Sequence, residues 1–441
     1  MTAFNPLIMK SVEKLNYRVT VGDVSSHAGL ELNVAQQGLL ALATDAGGHL
    51  QVSEEGEVVY LFPKNYRSVL RNKYWKIGFQ EKWNKICKFL FYLVRISFGI
   101  VLIASIILMV LAIIAIMIAA SSNRDSNSGG SRSRSRGGSF FMPRFWFTPD
   151  LFWVFTPNYH SRRRQKVRYQ TSNKYSQSKE DEMSFFEAVF SFLFGDGDPN
   201  ENLEERRWQE IGAVIRNNKC AIIAPQIAPY LDDIDLQMKE EEDYILPVLT
   251  KFNGYPEVSP EGDIIYYFPE LQVTTKKHSK QAVSAYLRET IIKFTEAGSN
   301  KKALVVGLGI LNFVLAITLY VLLQDGAIAQ QLGGLVAFVD SIFGFLFAYA
   351  TAFFAIPLVR FLWLKSKNSK IQQRNQKRQQ LAMELNKATP ALKAKISFAQ
   401  QFAQEKVINQ ENIIYSSEKD LMEQDLLAKE FQQRLDALDD N

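Results

Sequence analysis

Cysteine is almost absent: Cys87 and Cys220 are the only two in 441 residues. They stand far apart with no CxxC spacing, which excludes a disulfide framework and a self-contained zinc or iron–sulfur motif. The four histidines, His27, His49, His160 and His278, are scattered and form no ligand set. No Ser/His/Asp or Cys/His arrangement and no phosphate loop occurs. The chain is therefore expected to be neither an enzyme nor a cofactor carrier. Its first residues, MTAFNPLIMKSVEKLNYRVT, lack the apolar core of a cleavable signal peptide, so the N-terminus is expected to stay where it is made.

Cations are the second scarcity, in two stretches. Residues 16–63 carry one, Arg18, against Asp23, Glu31, Asp45, Glu54, Glu55 and Glu57. Residues 218–270 carry Lys219, Lys239 and Lys251 against eleven acids. These stretches share a pattern. GHLQVSEEGEVVYLFP at 48–63 and GYPEVSPEGDIIYYFP at 254–269 have Gly, Val, Ser, Glu, Gly, Tyr, Phe and Pro at matched places. Upstream of the first, Leu7, Ile8, Val12 and Leu15 recur at helical spacing. Thr20 is placed to cap a short helix, VGDVSSHA, and Asn33 a longer one, VAQQGLLALATDAG. Two strands, HLQVS and EVVYLFP, then turn at Glu54-Glu55-Gly56. The second copy reads as a helix over Trp208–Asn217, a short helix APQIAPYLD, a third helix EEEDYILPVLTKFNG, and a hairpin turning at Glu261-Gly262. Helix, short helix, longer helix and two-stranded wing is the order of a winged helix-turn-helix, met here twice. Such folds commonly bind DNA, but affinity for a duplex comes largely from neutralising phosphates. Two acidic modules, the first with no cation on its third helix, argue against duplex DNA and for docking of a protein partner.

What the chain has in abundance is long apolar blocks. Phe89–Ala120 contains one charge, Arg95. Ala303–Leu323 contains none, and Leu335–Leu364 has only Asp340 near its start and Arg360 near its end. About 20 apolar residues cross roughly 30 Å of hydrocarbon, so each block suffices for a span. Lys and Arg crowd the outer flanks of the second and third blocks, while the connection QDGAIAQQLGG has neither. These two predict a hairpin whose loop, 325–334, faces away from the cytoplasm. The first block has basic residues on both sides. It crosses once, with Arg95 snorkelling, or it enters and leaves as a same-side helical hairpin. The same-side arrangement keeps both modules and both basic flanks in one compartment and is the expectation, although no Gly or Pro marks a turn between Val101 and Ala120. Asp340 and Arg360 are expected to snorkel at their span ends, and the Gly307-x-Gly309 pair to serve close helix packing.

Between the modules, SSNRDSNSGGSRSRSRGGS is too polar to fold alone. It leads into an aromatic, proline-interrupted stretch followed by a basic one. Trp146, Trp153, Arg162, Arg163 and Arg164 are the candidate contacts with a membrane interface and its anionic lipids. Next, MSFFEAVFSFLFGDGDPNENLEE predicts a short apolar helix ending at Gly195. Asp196, Asp198 and Asn200 alternate as in a calcium loop, but Glu201 and Arg207 stand where that loop needs Gly and Glu. A turn and cap for the following helix is the preferred reading. At the C-terminus, Leu427, Phe431, Leu435 and Leu438 line one face of a last helix suited to docking or self-association.

FFEAVFSFLFGDGDPN, the wings ending in YLFP and YYFP, and PDLFWVFTPNYHSRRR together resemble an uncharacterised membrane-protein family of cyanobacteria and chloroplasts. Some plant members of that family carry an iron–sulfur cluster biosynthesis label. The resemblance implies a photosynthetic membrane setting, the thylakoid or inner membrane of a cyanobacterium, with the modules mainly on the cytoplasmic side.

The expected fold class is mainly α with small β wings: a multi-pass membrane protein with two winged-helix-like modules and a helical C-terminal tail. The divisions expected are 1–75 (module 1), 76–120 (basic flank and first membrane segment), 121–182 (linker), 183–275 (apolar helix and module 2), 276–365 (transmembrane hairpin) and 366–441 (polar helical tail). The expected function is a membrane-anchored scaffold or assembly factor. The alternatives are a transporter or channel component and a membrane-tethered transcription regulator.

Overall fold

A computed structural model describes residues 4–122, 183–232, 234, 242–277, 279–324, 327–387 and 389–418. In chain order, α1 (Pro6–Lys14), β1 (Arg18–Val19), α2 (Val21–Ala28), α3 (Leu32–Ala46), β2 (His49–Ser53), β3 (Val58–Leu61) and α4 (Tyr66–Lys73) precede the long helix α5 (Trp75–Ser122). Then come α6 (Phe185–Phe194), α7 (Leu203–Asn217), β4 (Ala221–Ile222), α8 (Ala224–Ile227), α9 (Leu246–Phe252), β5 (Tyr255–Val258), β6 (Ile264–Tyr267) and β7 (Val273–Thr274). Two long helices, α10 (Ser299–Leu323) and α11 (Gly334–Asn386), are followed by α12 (Pro390–Gln401), β8 (Lys406–Val407) and β9 (Ile413–Ser416). The protein is thus mainly helical, with few and short strands. It divides into two compact units. Met1–Lys82, Pro199–Ile291 and Ser369–Asn441 form the first, and Trp83–Asp198 with Ile292–Asn368 form the second.

Unit 1 contains two parts built with the same local devices. In the N-terminal part, Asn5 caps α1 through Leu7 N–H. Thr20 and Asp23 form a reciprocal capping box that starts α2, and left-handed Gly29 ends it. β1 and β2 flank β3 in antiparallel pairing. Ile8, Val12, Val24, Leu39, Leu42, Phe62 and Tyr66 fill the core beneath. In the central part, Ile223 N–H reaches Gln226 Oε1 at 3.1 Å, as Thr20 N–H reaches Asp23 at 3.1 Å. Lys219 and Cys220 are left-handed before β4, as Asn16 and Tyr17 are before β1. Ser53 Oγ and Ser259 Oγ each accept a turn N–H at 3.1 Å, from Glu57 and Asp263. Ile211, Ile215, Ile222, Val248, Phe252 and Phe268 fill this second core.

Three boundaries differ from the sequence reading. α3 starts at Leu32 with Glu31 at its cap, two residues earlier than an Asn33 cap predicts. α7 starts at Leu203, well before Trp208, because Glu204 and Glu205 suit a helix N-terminus. The expected third helix of the central part is a 3-10 turn, Asp243–Ile245, followed by α9; Pro247 is tolerated only in the first turn.

The C-terminal region runs as a strap across unit 1. Leu392, Ile396 and Phe402 of the α12 region pack on Ile223 and Ile265. β8 pairs in parallel with β7. β9 then adds to β2, giving the order β1-β3-β2-β9. Among the described residues of the tail, expected to be helical, the last α-helix ends at Gln401. Beyond it the β-branched and aromatic run Ile413-Ile414-Tyr415 takes a sheet edge instead.

Unit 2 contains parts of all three helices that are long and apolar enough to cross a membrane. α5 is unbroken over 48 residues, about 72 Å at 1.5 Å per residue. The same-side helical hairpin expected for this block is therefore corrected: with no Gly or Pro between Val101 and Ala120 the chain has no place to turn. Leu102 and Ile106 of α5 cluster with α6, Val305 and Phe353, while Met109, Ala112 and Ile116 cluster with Ala316, Leu319, Val336 and Val339. Hence α5 and α10 run parallel, and α11 runs antiparallel to both. Of the expected glycine pair, Gly309 alone serves close packing: a Cβ there would lie 2.4 Å from the Phe353 ring, whereas Gly307 meets nothing within 4 Å. The outer faces leave Ile100, Ile107, Ile310, Val321, Phe345 and Val359 uncovered.

Candidate functional site

Within unit 1 the two similar parts meet along α2 and α7. Glycine permits the approach: a Cβ on Gly212 would fall 2.3 Å from the Ser26 carbonyl oxygen, and one on Gly22 2.2 Å from that of Glu270. At this contact Asp23 Oδ1 accepts from Arg216 Nη1 and Nη2 at 2.7 and 2.6 Å and from Thr274 Oγ1 at 2.8 Å. Its Oδ2 accepts from the N–H groups of Thr20 and Thr275 at 3.1 and 3.2 Å. The two charged side chains are 3% and 10% exposed. A charge this buried persists only when its partner and hydrogen bonds are all in place. The same acid that starts α2 thus joins it to α7 and to the chain after β7. The strap completes the junction, with Arg18 Nη1 donating to Ile408 O at 2.9 Å.

Beside the junction opens a cleft of about 180 Å³, lined by Lys14, Asp23, His27, Arg216, Lys276 and Lys277 among others. Burial, with the charges of Lys14 and Arg216, pushes His27 below its ordinary value, against the opposing pull of Asp23. Ser11 Oγ lies 2.9 Å from His27 Nδ1, but Ser11 is fully enclosed and cannot meet a substrate. The pair is structural. Burial pushes the Cys220 thiol up to about 12, leaving it protonated and unreactive.

A second buried charge cluster ties α11 into unit 1. Glu289 accepts from Arg374 Nε and Nη2 at 2.7 and 2.5 Å and pairs with Arg378 Nη1 at 3.0 Å. Burial opposes charge on Glu289, yet the two guanidinium groups hold its carboxyl below the usual range. Asp232 pairs with both Arg378 and Arg207.

In unit 2 two of the charges expected to snorkel, Arg360 and Arg95, have specific partners. Arg360 Nη1 donates to the carbonyls of Ser191 and Phe192 at 3.3 and 3.1 Å, at the C-terminal end of α6, and Nη2 reaches Phe294 O. Asp196 accepts from Arg95 at 2.7 Å, Ser191 Oγ at 2.5 Å and Glu296 N–H at 2.9 Å. Asp198 pairs with Lys367 at 2.7 Å. Asn200, in unit 1, brackets the Thr290 backbone with two bonds of 2.8 Å. The three calcium candidates are thus placed on protein partners of their own. Among the described residues no three His, Cys, Asp or Glu side chains converge. Trp146, Trp153, Arg162, Arg163 and Arg164 lie outside the described residues, as do Leu427, Phe431, Leu435 and Leu438.

The outward side of α3 presents Asn33, Val34, Gln36, Gln37, Leu40 and Thr44. It holds no cation. Sequence reasoning missed Arg216, Glu289 and the strand β9. The Thr20-x-x-Asp23 box was visible as a helix start, but nothing local announced what else Asp23 would bind.

No protein-family model matches the chain, and no solved structure does. The chain is similar to the uncharacterized chloroplastic protein At5g03900 of Arabidopsis thaliana, 39% identical over 448 residues that span 98% of this chain and 82% of that protein. Likeness of this degree along almost the whole length establishes kinship: the chain belongs to the family of that chloroplastic plant protein.

Proposed function

We propose that this protein is a membrane-anchored scaffold in which two winged-helix modules, an internal repeat, are held together on one face of a bilayer to dock a protein. Unit 2 is the multi-pass anchor. Its uncovered apolar faces suit lipid and would be costly in water. The two modules pack on each other within unit 1 along α2 and α7, so this reading places both in one compartment. Basic flanks favour the cytoplasmic side, in a chloroplast or cyanobacterial membrane of thylakoid or inner-membrane type, with anionic lipid at its surface. The loop between α10 and α11 lies opposite.

The observation that carries the docking role is the outward side of α3. A winged helix that read DNA would present cations there; this one presents amides, Val34 and Leu40. A photo-crosslinker at Gln36 of the full chain in native membranes tests this. A discrete protein adduct, lost when Val34 and Leu40 are both changed to Glu, is the expected result. Salt-sensitive capture of duplex DNA would replace the scaffold by the transcription-regulator reading.

A further inference from the structure

The two hairpins are alike in sequence, but only one has an added strand: β9 lies on β2, while among the described residues no strand lies beyond β5. Access does not explain the difference. Tyr255 and Val258 on β5 are 44% and 58% exposed.

Backbone donors do explain it. In β2 the residues whose N–H groups point away from β3 are Leu50, Val52 and Glu54. Leu50 N–H donates to Ser417 Oγ at 2.9 Å, and Leu50 O accepts from Ser417 N–H at 2.9 Å. Val52 faces Tyr415, and Glu54 N–H donates to Asn412 O at 3.0 Å. The inward residues are fixed by Ser53 N–H bonding Glu57 O at 2.9 Å. In the second hairpin Ser259 N–H bonds Asp263 O at 2.8 Å, so the phase is the same and Pro256, Val258 and Pro260 point outward. Prolines therefore occupy the two positions that match Leu50 and Glu54, and each removes a donor an added strand would need. Proline on an exposed edge is a recurrent barrier to unwanted pairing.

We propose that the β2 edge is the chain's strand-acceptor site, with β9 as its resident ligand, and that Pro256 and Pro260 close the matching edge so that the C-terminal strand binds the first module alone. The β2 site takes an extended segment with alternating outward bonds and β-branched or aromatic side chains, as in Ile413-Ile414-Tyr415. The closed β5 edge also keeps a second copy's strand from adding there.

The test uses the full chain in detergent and a synthetic peptide of residues 409–418, read by amide hydrogen exchange. P256L/P260E gives β5 the residues of β2. In that variant the peptide should slow exchange at Val258 about tenfold, the scale of one hydrogen bond. In the wild-type chain it should leave Val258 unchanged. Conversely, L50P/E54P should free residues 413–417 to exchange rapidly while β3 stays protected. Protection of Val258 by the peptide in the wild type, or retained protection of 413–417 in L50P/E54P, would overturn the proposal.

Discussion

Arg216 places both terminal nitrogens on one oxygen of Asp23, across a contact between helices that are 193 residues apart in sequence. Neither charge has water to return to, since both side chains are nearly enclosed. Removing one partner strands the other. R216M is therefore expected to cost about 3–5 kcal/mol, and D23N/R216M less than the single change. The check is the unfolding midpoint of the detergent-solubilised chain. A shift of R216M within about 0.5 kcal/mol of wild type would contradict the assigned role.

His27 makes the same region sensitive to acid. Its folded pKa lies below the ordinary 6.5, first because of burial and then because of Lys14 and Arg216. Between that lowered value and 6.5 the unfolded chain binds more protons than the folded one, so stability must fall as pH falls through this window. Above 6.5 the contribution is complete. H27Q should flatten the slope of unfolding midpoint against pH below 6.5; an unchanged slope would assign the acid sensitivity elsewhere.

Two glycines on one helix turn give a direct test of packing in unit 2. G309A drives a methyl into the Phe353 ring and is expected to destabilise by about 1–3 kcal/mol. G307A meets open space and should be neutral or slightly stabilising. Equal effects of the two changes would mean that α10 and α11 do not pack as described.

How much of this could be read from the chain depends on the range of the interaction. The Thr20–Asp23 box, the Gly29 stop and the glycine turns at Gly56 and Gly262 are set by neighbours within a few residues, and their elements stand where the pattern places them. The long apolar helices α10 and α11 were legible from length and hydropathy. Basic flanks alone point to a hairpin within α5, but no Gly or Pro interrupts residues 101–120 and the helix runs through. β9 was missed because its partner is more than 350 residues away and a four-residue strand has no periodicity to detect. Arg95 and Arg360 were given to solvent because nothing local shows that α6 ends beside them. Legibility stopped where a side chain's partner came from another segment.

The central claim is that one anchor holds both modules in the same compartment. Cysteine accessibility tests it in sealed, right-side-out vesicles, using chains in which Cys87 is replaced by serine and a single exposed cysteine is introduced. The account expects Q330C, in the short helix Ala327–Leu332 that connects α10 and α11, to react with an impermeant reagent in intact vesicles. It expects Q36C in the first module and T250C in the second to react only after the membrane is opened. Q36C and T250C falling on opposite sides, or Q330C falling with them, would contradict it.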